Sequence, residues 1–373
     1  MKKIANVVLN DFTNDTRVWK VSQSLVRAGN VVSVVAVHNE GLKEYDEVSG
    51  VNVERLKLAT RSWSKIKIVQ FIKYLEFLIR SFVRFRKYDL IHCNDLGTLP
   101  IGVAIKIFGK DVKVVYDCHE YETEMDSIGR FEKILRKILE RGLIKYADSV
   151  ITVSSSIADE YRRLYSVARP ALVLNCPVFY EIENRDVFRK SFGIRPDQKI
   201  FLYQGGLKSG RGIEILVDSF SNLANDKNVL IVMGYGPLQG LVEKAAQEND
   251  LVFFHSAVNP DVLLDYTCSA DYGILFYEDT CLNHRYCSPN KMFEYLMAGL
   301  PVLTSDLFEM KRLVETEGVG IVARENTSNG FGQAVVDSLQ QDYAAIQRNV
   351  FRARKKYCWE EQEKILKAVY ENL

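Results

Sequence analysis

The sequence predicts an α/β protein built from two doubly wound parallel sheets. Three observations carry this. The chain has 373 residues, more than one ordinary core organises, so two domains are expected. Short runs that are apolar throughout, at residues 4–9 and 31–37, flank a helical stretch. Strands apolar on both faces belong to parallel sheets covered by helices on both sides. The same rhythm restarts at residues 200–203, which announces a second sheet. The expected division is a first Rossmann-like domain at 1–174, a second at 175–355, and a final segment, 356–373, carrying an amphipathic helix.

Composition is that of a globular chain, and its net charge of +1 creates no general field for nucleic acid. The seven cysteines are scattered without a CxxC pair or metal-ligand spacing, as free thiols of a reducing compartment are. The apolar run at 4–9 is too short for a signal-peptide core or a membrane span. The expected location is the cytoplasm, with any membrane contact made peripherally from its inner face.

In the first half, a polar loop follows the first strand and leads into a helix at 17–28 closed by Gly29. The loop lacks GxGxxG and offers Asn10, Asp11, Asn14, Asp15 and Arg17 instead. Loop and cap duty explains most of these residues. Strands are expected at 90–92, 112–116 and 149–153. Two polar groups sit at strand ends, where such folds bind ligands. They are His92-Cys93-Asn94-Asp95 and Tyr116-Asp117-Cys118-His119-Glu120. Residues 63–87 carry Lys73, Arg80, Arg84 and Arg86 among other cations, against the single acid Glu76, interleaved with aromatic side chains. A second basic helix is expected at 130–145. This is the pattern of helices lying on an anionic membrane surface; the alternative is a surface helix with its basic face in water.

In the second half, a strand at 172–177 leads out of the first domain, and a short helix at 185–193 precedes the new sheet. After the strand at 200–203 comes Gln204-Gly205-Gly206-Leu207-Lys208-Ser209-Gly210-Arg211-Gly212, then a helix from Ile213. Glycines let backbone approach a phosphate, and Lys208 and Arg211 supply charge, although the spacing is not that of a Walker loop. Strands follow at 229–233, 251–254 and 272–276. The stretch Ser288 to Val302 reads as a buried helix with Ser288 as N-cap, Pro289 in the first position and Gly299 at the exit. Glu294 lies inside it and needs a partner. Asn290 and Lys291 share its face, and the helix mouth favours an anion one turn above it. That geometry suits a nucleoside diphosphate; a structural ion pair is the alternative.

Taken in order, these motifs resemble the retaining glycosyltransferases of family 4. The resemblance rests on Asn14-Asp15-Thr16-Arg17-Val18, His92 to Asp95, Tyr116 to Glu120, Asn175-Cys176-Pro177, Gly205 to Gly212 and Pro289 to Pro301. It implies the GT-B architecture, with two facing domains and a last helix crossing back onto the first. It implies an acceptor-binding first domain and a donor-binding second domain. Donor contacts fall on Gly206, Lys208, Arg211, Ser288, Asn290, Lys291 and Glu294, with Glu294 on the ribose. His119 lies beside the donor sugar, so His119 and Glu294 are the expected catalytic pair. Asp15, Arg17, Asp95 and Glu120 are acceptor-side candidates. The implied reaction moves a sugar from a nucleotide diphosphate sugar to a saccharide or lipid-linked acceptor in surface polysaccharide or glycolipid assembly. No metal or other cofactor is expected. The chain departs from many members in two places: Tyr286 stands where they carry a first Glu, and Gly206 where they carry Arg. An epimerase on the same fold, a non-catalytic nucleotide-sugar-binding subunit and a structural scaffold are the rival expectations.

Overall fold

The computed structural model describes residues 1–373 except 110, 184, 224 and 225. The chain divides into two compact units, Met1–Val173 with Glu363–Leu373, and Leu174–Gln362. The final segment expected at 356–373 is thus shared between them.

The first unit contains β1 (Lys3–Val7), α1 (Thr16–Arg27), β2 (Val31–Val37), β3 (Tyr45–Val48), β4 (Val51–Leu56), α2 (Lys67–Phe85) and β5 (Leu90–Asn94). It continues with α3 (Leu99–Phe108), β6 (Lys113–Cys118), α4 (Arg130–Leu143), β7 (Ser149–Thr152), α5 (Ser155–Tyr165) and β8 (Ala171–Leu172). The strands pair in the order β3-β4-β2-β1-β5-β6-β7-β8. All pairings are parallel except β3 with β4. That hairpin was not foreseen. Its turn places Ser49 and Gly50 at φ +49° and +79°, which suits the right-handed twist of a hairpin. Strands β1, β5 and β6 are buried along almost their whole length, as double coverage by helices requires. Their register sets Asn6 beside His92 and Asn94 beside Asp117, so polar side chains gather at the carboxyl edge.

The second unit contains α6 (Val187–Phe192), β9 (Lys199–Gly206), α7 (Ile213–Ser221), β10 (Asn228–Tyr235), α8 (Gln239–Glu248), β11 (Val252–Ser256), α9 (Leu263–Thr267) and β12 (Tyr272–Leu275). Then come α10 (Leu282–Tyr286), α11 (Asn290–Met297), β13 (Val302–Thr304), α12 (Phe308–Glu317), β14 (Gly320–Val322), α13 (Ser328–Ser338) and α14 (Tyr343–Lys356). Its all-parallel sheet runs β11-β10-β9-β12-β13-β14. The last helix, α15 (Trp359–Glu371), begins in this unit and ends in the first.

Helix α11 corrects one expectation. It starts at Asn290 with Pro289, not Ser288, in the cap position, and among the described residues no side chain caps it. Met292 N–H turns back to Pro289 C=O at 3.0 Å, which leaves the amides of Asn290 and Lys291 available. Its exit is a Schellman motif: Leu300 N–H reaches Tyr295 C=O at 2.9 Å, Gly299 N–H reaches Leu296 C=O at 3.0 Å, and Gly299 sits at φ +82°.

Candidate active site

Two polar clusters form, one in each unit. The first lies at the carboxyl ends of β1, β5 and β6. Asp117 is fully buried there. Arg17, fixed in the first turn of α1, clamps it through Nε at 3.1 Å and Nη2 at 2.7 Å, and its Nη1 donates to Val173 C=O at 2.9 Å. Burial disfavours the Asp117 carboxylate, but Arg17 and His119 outweigh it and hold its pKa well below the usual range. His92 stands 3.4 Å from Asp117. Its Nδ1 meets the Tyr370 hydroxyl of α15, and the two rings stack at 6.2 Å. Burial pushes the His92 pKa down and keeps the ring neutral.

His119 is the first residue beyond β6. Its Nε2 lies 3.1 Å from Asn94 Oδ1 and 3.5 Å from Asp117 Oδ2; its Nδ1 lies 3.6 Å from Asp95. Burial alone would lower the His119 pKa, but Asp95 and Asp117 reverse this and raise it to about 9. The ring is thus an imidazolium at neutral pH, a cation with two N–H donors. Asn94 is oriented for this role because its amide donates to Asn6 Oδ1 and to Val7 C=O, at 2.5 and 2.9 Å. Asp95 adopts φ +64°, a left-handed conformation that Asp tolerates at modest cost. The turn aims its carboxylate back at the backbone N–H of His119, which donates to Asp95 Oδ1 at 3.1 Å.

A cavity of about 660 Å³ adjoins this cluster, lined by Asp15, Asn94, Asp95 and Glu122 and by Phe71, Tyr74 and Leu139, among others. Burial and the nearby Asp95 push the Glu122 pKa up to about 8. Of the acceptor-side candidates, Asp95 and Asp15 line this cavity, although Asp15 also caps α1 through Val18 N–H at 3.1 Å. Arg17 does not line it, being consumed by Asp117 inside the fold. Glu120 is exposed beside the cluster.

The second cluster gathers where β9 ends and α11 begins. Lys291 Nζ lies 4.1 Å from the centre of the Tyr203 ring, and Arg211 the same distance from the Tyr277 ring. Gly205 makes this approach possible, since a Cβ there would meet Lys291 Nζ at 3.2 Å. Burial and the neighbouring Arg211 depress the Lys291 pKa to about 7. Two cations held over aromatic faces suit an anion. One turn deeper, Glu294 accepts from the Gln204 side chain at 2.7 Å, and Thr267 donates to the other end of Gln204 at 2.8 Å. A partner for Glu294 thus comes from the neighbouring strand, as Gln204. Gly206, the last residue of β9, and Lys208, on the loop after it, are exposed, and Ser288 is buried just before the helix.

Sequence reasoning missed Gln204, Tyr203 and Tyr277. The signal for Gln204 was a lone amide closing an apolar strand ahead of two glycines. The membrane candidates need correction. Lys73 is buried and donates to Trp63 C=O at 2.8 Å and Arg61 C=O at 3.1 Å. Arg80 and Arg84 pair with Glu76 and Glu54 at 2.7 and 2.9 Å. Arg86 remains exposed. Among the described residues, no group of three or more His, Cys, Asp or Glu is placed to hold a metal, and no helix is long and apolar enough to cross a membrane.

The profile of Glycosyltransferase Family 4 matches residues 15–178, and that of Glycosyl transferases group 1 matches residues 198–341. An uncharacterized glycosyltransferase of Methanocaldococcus jannaschii is 26% identical over 94% of this chain and 92% of its own. A sucrose-phosphate synthase from Thermosynechococcus elongatus superposes with a TM-score of 0.80 at 18% identity, over 100% of this chain and 98% of that one. Anabaena HepE in complex with UDP gives 0.73 at 14% identity, over 100% of both chains.

Proposed function

The chain belongs to the family 4 glycosyltransferases of GT-B fold, and from that membership we propose that it moves a sugar from a nucleoside diphosphate sugar to an acceptor hydroxyl with retention at the anomeric carbon. The observation that carries the reading is the second cluster. Arg211 and Lys291 stand at the uncapped mouth of α11, and Glu294 lies about one turn, roughly 5 Å, deeper. Cations and free amides match a diphosphate, and a carboxylate beyond them matches ribose hydroxyls. HepE, of the same fold, holds UDP.

In the proposed reaction the bond between anomeric carbon and diphosphate oxygen breaks, and the acceptor oxygen bonds the same face of that carbon. The acceptor proton passes to the leaving phosphate. Arg211, Lys208 and Lys291 stabilise the charge that develops on it. His119, as an imidazolium, supplies positive charge at the acceptor-side cluster and cannot act as the base. The acceptor's saccharide occupies the cavity beside Asp95, and a lipid-linked acceptor fits its apolar side. A second reading, a subunit that binds nucleotide sugar without turnover, is favoured by Tyr286. Its ring packs edge-on against Phe308 at 6.3 Å, where many relatives carry an acid.

The test is a panel of nucleotide sugars assayed for transfer or slow hydrolysis. One nucleotide series should be consumed, and consumption should persist in EDTA. Full loss in EDTA would overturn the metal-free mechanism; binding without consumption would favour the second reading.

Lys291 adds a pH signature. In the empty site its amine gives up its proton as pH rises through about 7, and a diphosphate restores it. Donor affinity is therefore expected to fall above pH 7, and binding at pH 8 to take up a proton. Calorimetry in buffers of different ionisation enthalpy reads that uptake. Lys291→Arg, which stays charged, should abolish it. Equal heats in all buffers would show that Lys291 does not meet the phosphates.

A further inference from the structure

We propose that the first unit seats on a lipid bilayer by inserting the apolar outer faces of α2 and α4, and that a lipid-borne acceptor enters the cavity between them. The second clause rests on the transfer reading above; the first does not.

Helix α2 exposes Ile68, Phe71, Leu75, Ile79 and Val83, spaced three or four residues apart and so aligned along one side for about 22 Å. Phe71 and Ile79 are 58% and 60% exposed. Helix α4 exposes Phe131, Ile134, Leu135 and Ile138 on one side, with Phe131 at 75%. Phe108, at the end of α3, is 78% exposed and packs edge-on against Phe82 of α2 at 6.0 Å, which extends the apolar surface. Soluble monomers rarely leave so much contiguous hydrocarbon in water. The same two helices wall the cavity, Phe71 and Tyr74 from α2 and Arg136 and Leu139 from α4.

Charge selects the occupant. The only acid between residues 61 and 87 is Glu76. It is taken up by the Ala59 and Thr60 N–H groups, the Thr60 hydroxyl and Arg80. Lys65 and Lys67 at one end of α2, and Arg86 and Lys87 at the other, are exposed and unpaired among the described residues. Hydrocarbon flanked by cations at both ends matches acyl chains beneath anionic headgroups. A second copy of this face fits poorly, because either orientation sets cations against cations. Of the inner cations expected to dock, Lys73 is buried, and Arg80 and Arg84, though exposed, are paired with Glu76 and Glu54, so insertion rather than charge does most of the holding.

Flotation of the full chain with phosphatidylcholine vesicles, and with vesicles containing phosphatidylglycerol, tests this. Wild type should float with both, more with the second. Ile79→Glu/Val83→Glu and Phe131→Glu/Ile138→Glu should each lower partitioning by about tenfold, ~1.4 kcal/mol. Arg86→Glu/Lys87→Glu should remove only the preference for phosphatidylglycerol. Unchanged melting and unchanged nucleotide diphosphate binding separate this result from misfolding and from failure of the transfer reading. Wild type left in solution by both vesicles, or apolar variants floating as well as wild type, would overturn the proposal. So would a wild-type dimer in light scattering that Ile79→Glu/Val83→Glu turns into monomer, which would assign the face to a second copy.

Discussion

Glu294→Ala is expected to weaken nucleotide donor binding by about ten- to a hundredfold. A hydrogen bond to a charged group contributes roughly 1.5–3 kcal/mol, and the proposed ribose contact is of that kind. The fold should survive, because Glu294 is half-buried at the site and its described partner, Gln204, keeps its other bond to Thr267. Glu294 also supports the charge of Lys291, so its removal should move the fall in donor affinity to lower pH. Calorimetric titration with the preferred nucleotide diphosphate measures both effects. If Glu294→Ala binds as tightly as wild type, the carboxylate merely anchors Gln204 and the ribose assignment fails.

Asp117→Ala is expected to cost about 3–5 kcal/mol of stability, the usual consequence of leaving one half of a buried ion pair unpaired. Arg17 would remain inside the first unit with only the Val173 carbonyl as a described partner. Urea unfolding measures the loss, and a loss under 1 kcal/mol would show that water reaches the pair. The same substitution should lower the His119 pKa from about 9, which NMR titration of the imidazole follows. The folded His119 pKa lies above its unfolded value near 6.5. Its contribution to stability is therefore complete below about 6.5 and is lost as pH climbs through about 9. Lys291 runs the other way. Its folded pKa is depressed, so the penalty for burying it is full below about 7 and fades as pH approaches 10.5. Between 7 and 9 the two oppose each other, and the wild-type profile should look flatter than that of either single variant.

The sheets were legible because strands covered on both faces are apolar without interruption, and residues 4–9, 31–37 and 200–203 show it plainly. The β3–β4 hairpin was not, because its outer strand is largely exposed and its sequence, Tyr45-Asp46-Glu47-Val48, carries almost no apolar pattern. The site was legible where local chemistry announces it: glycines beside cations, an acid inside an apolar helix, a histidine at a strand end. Its partners were not, since Gln204 with Glu294 and Arg17 with Asp117 are joined across many residues of sequence by strand register and helix placement. The basic character of residues 63–87 was legible in the sequence; the pairing of its cations was not. Sequence counts charges but does not show which are already neutralised, and the exposed apolar stripe of α2 became visible only once its inner face was packed.

The stacking of Tyr370 on His92 bears on how the chain is made. The first unit is not a continuous stretch of polypeptide, because its closing piece, Glu363–Leu373, follows the whole of the second unit. The ribosome delivers His92, Asp117 and His119 early, yet the hydroxyl that meets His92 arrives only after the whole second unit. Until the second unit has been made, the nascent first unit presents an uncapped polar seam at its sheet edge. A shortened translation product therefore lacks more than a tail: its histidine cluster is left without one wall, while the donor-side cluster of the second unit is already whole.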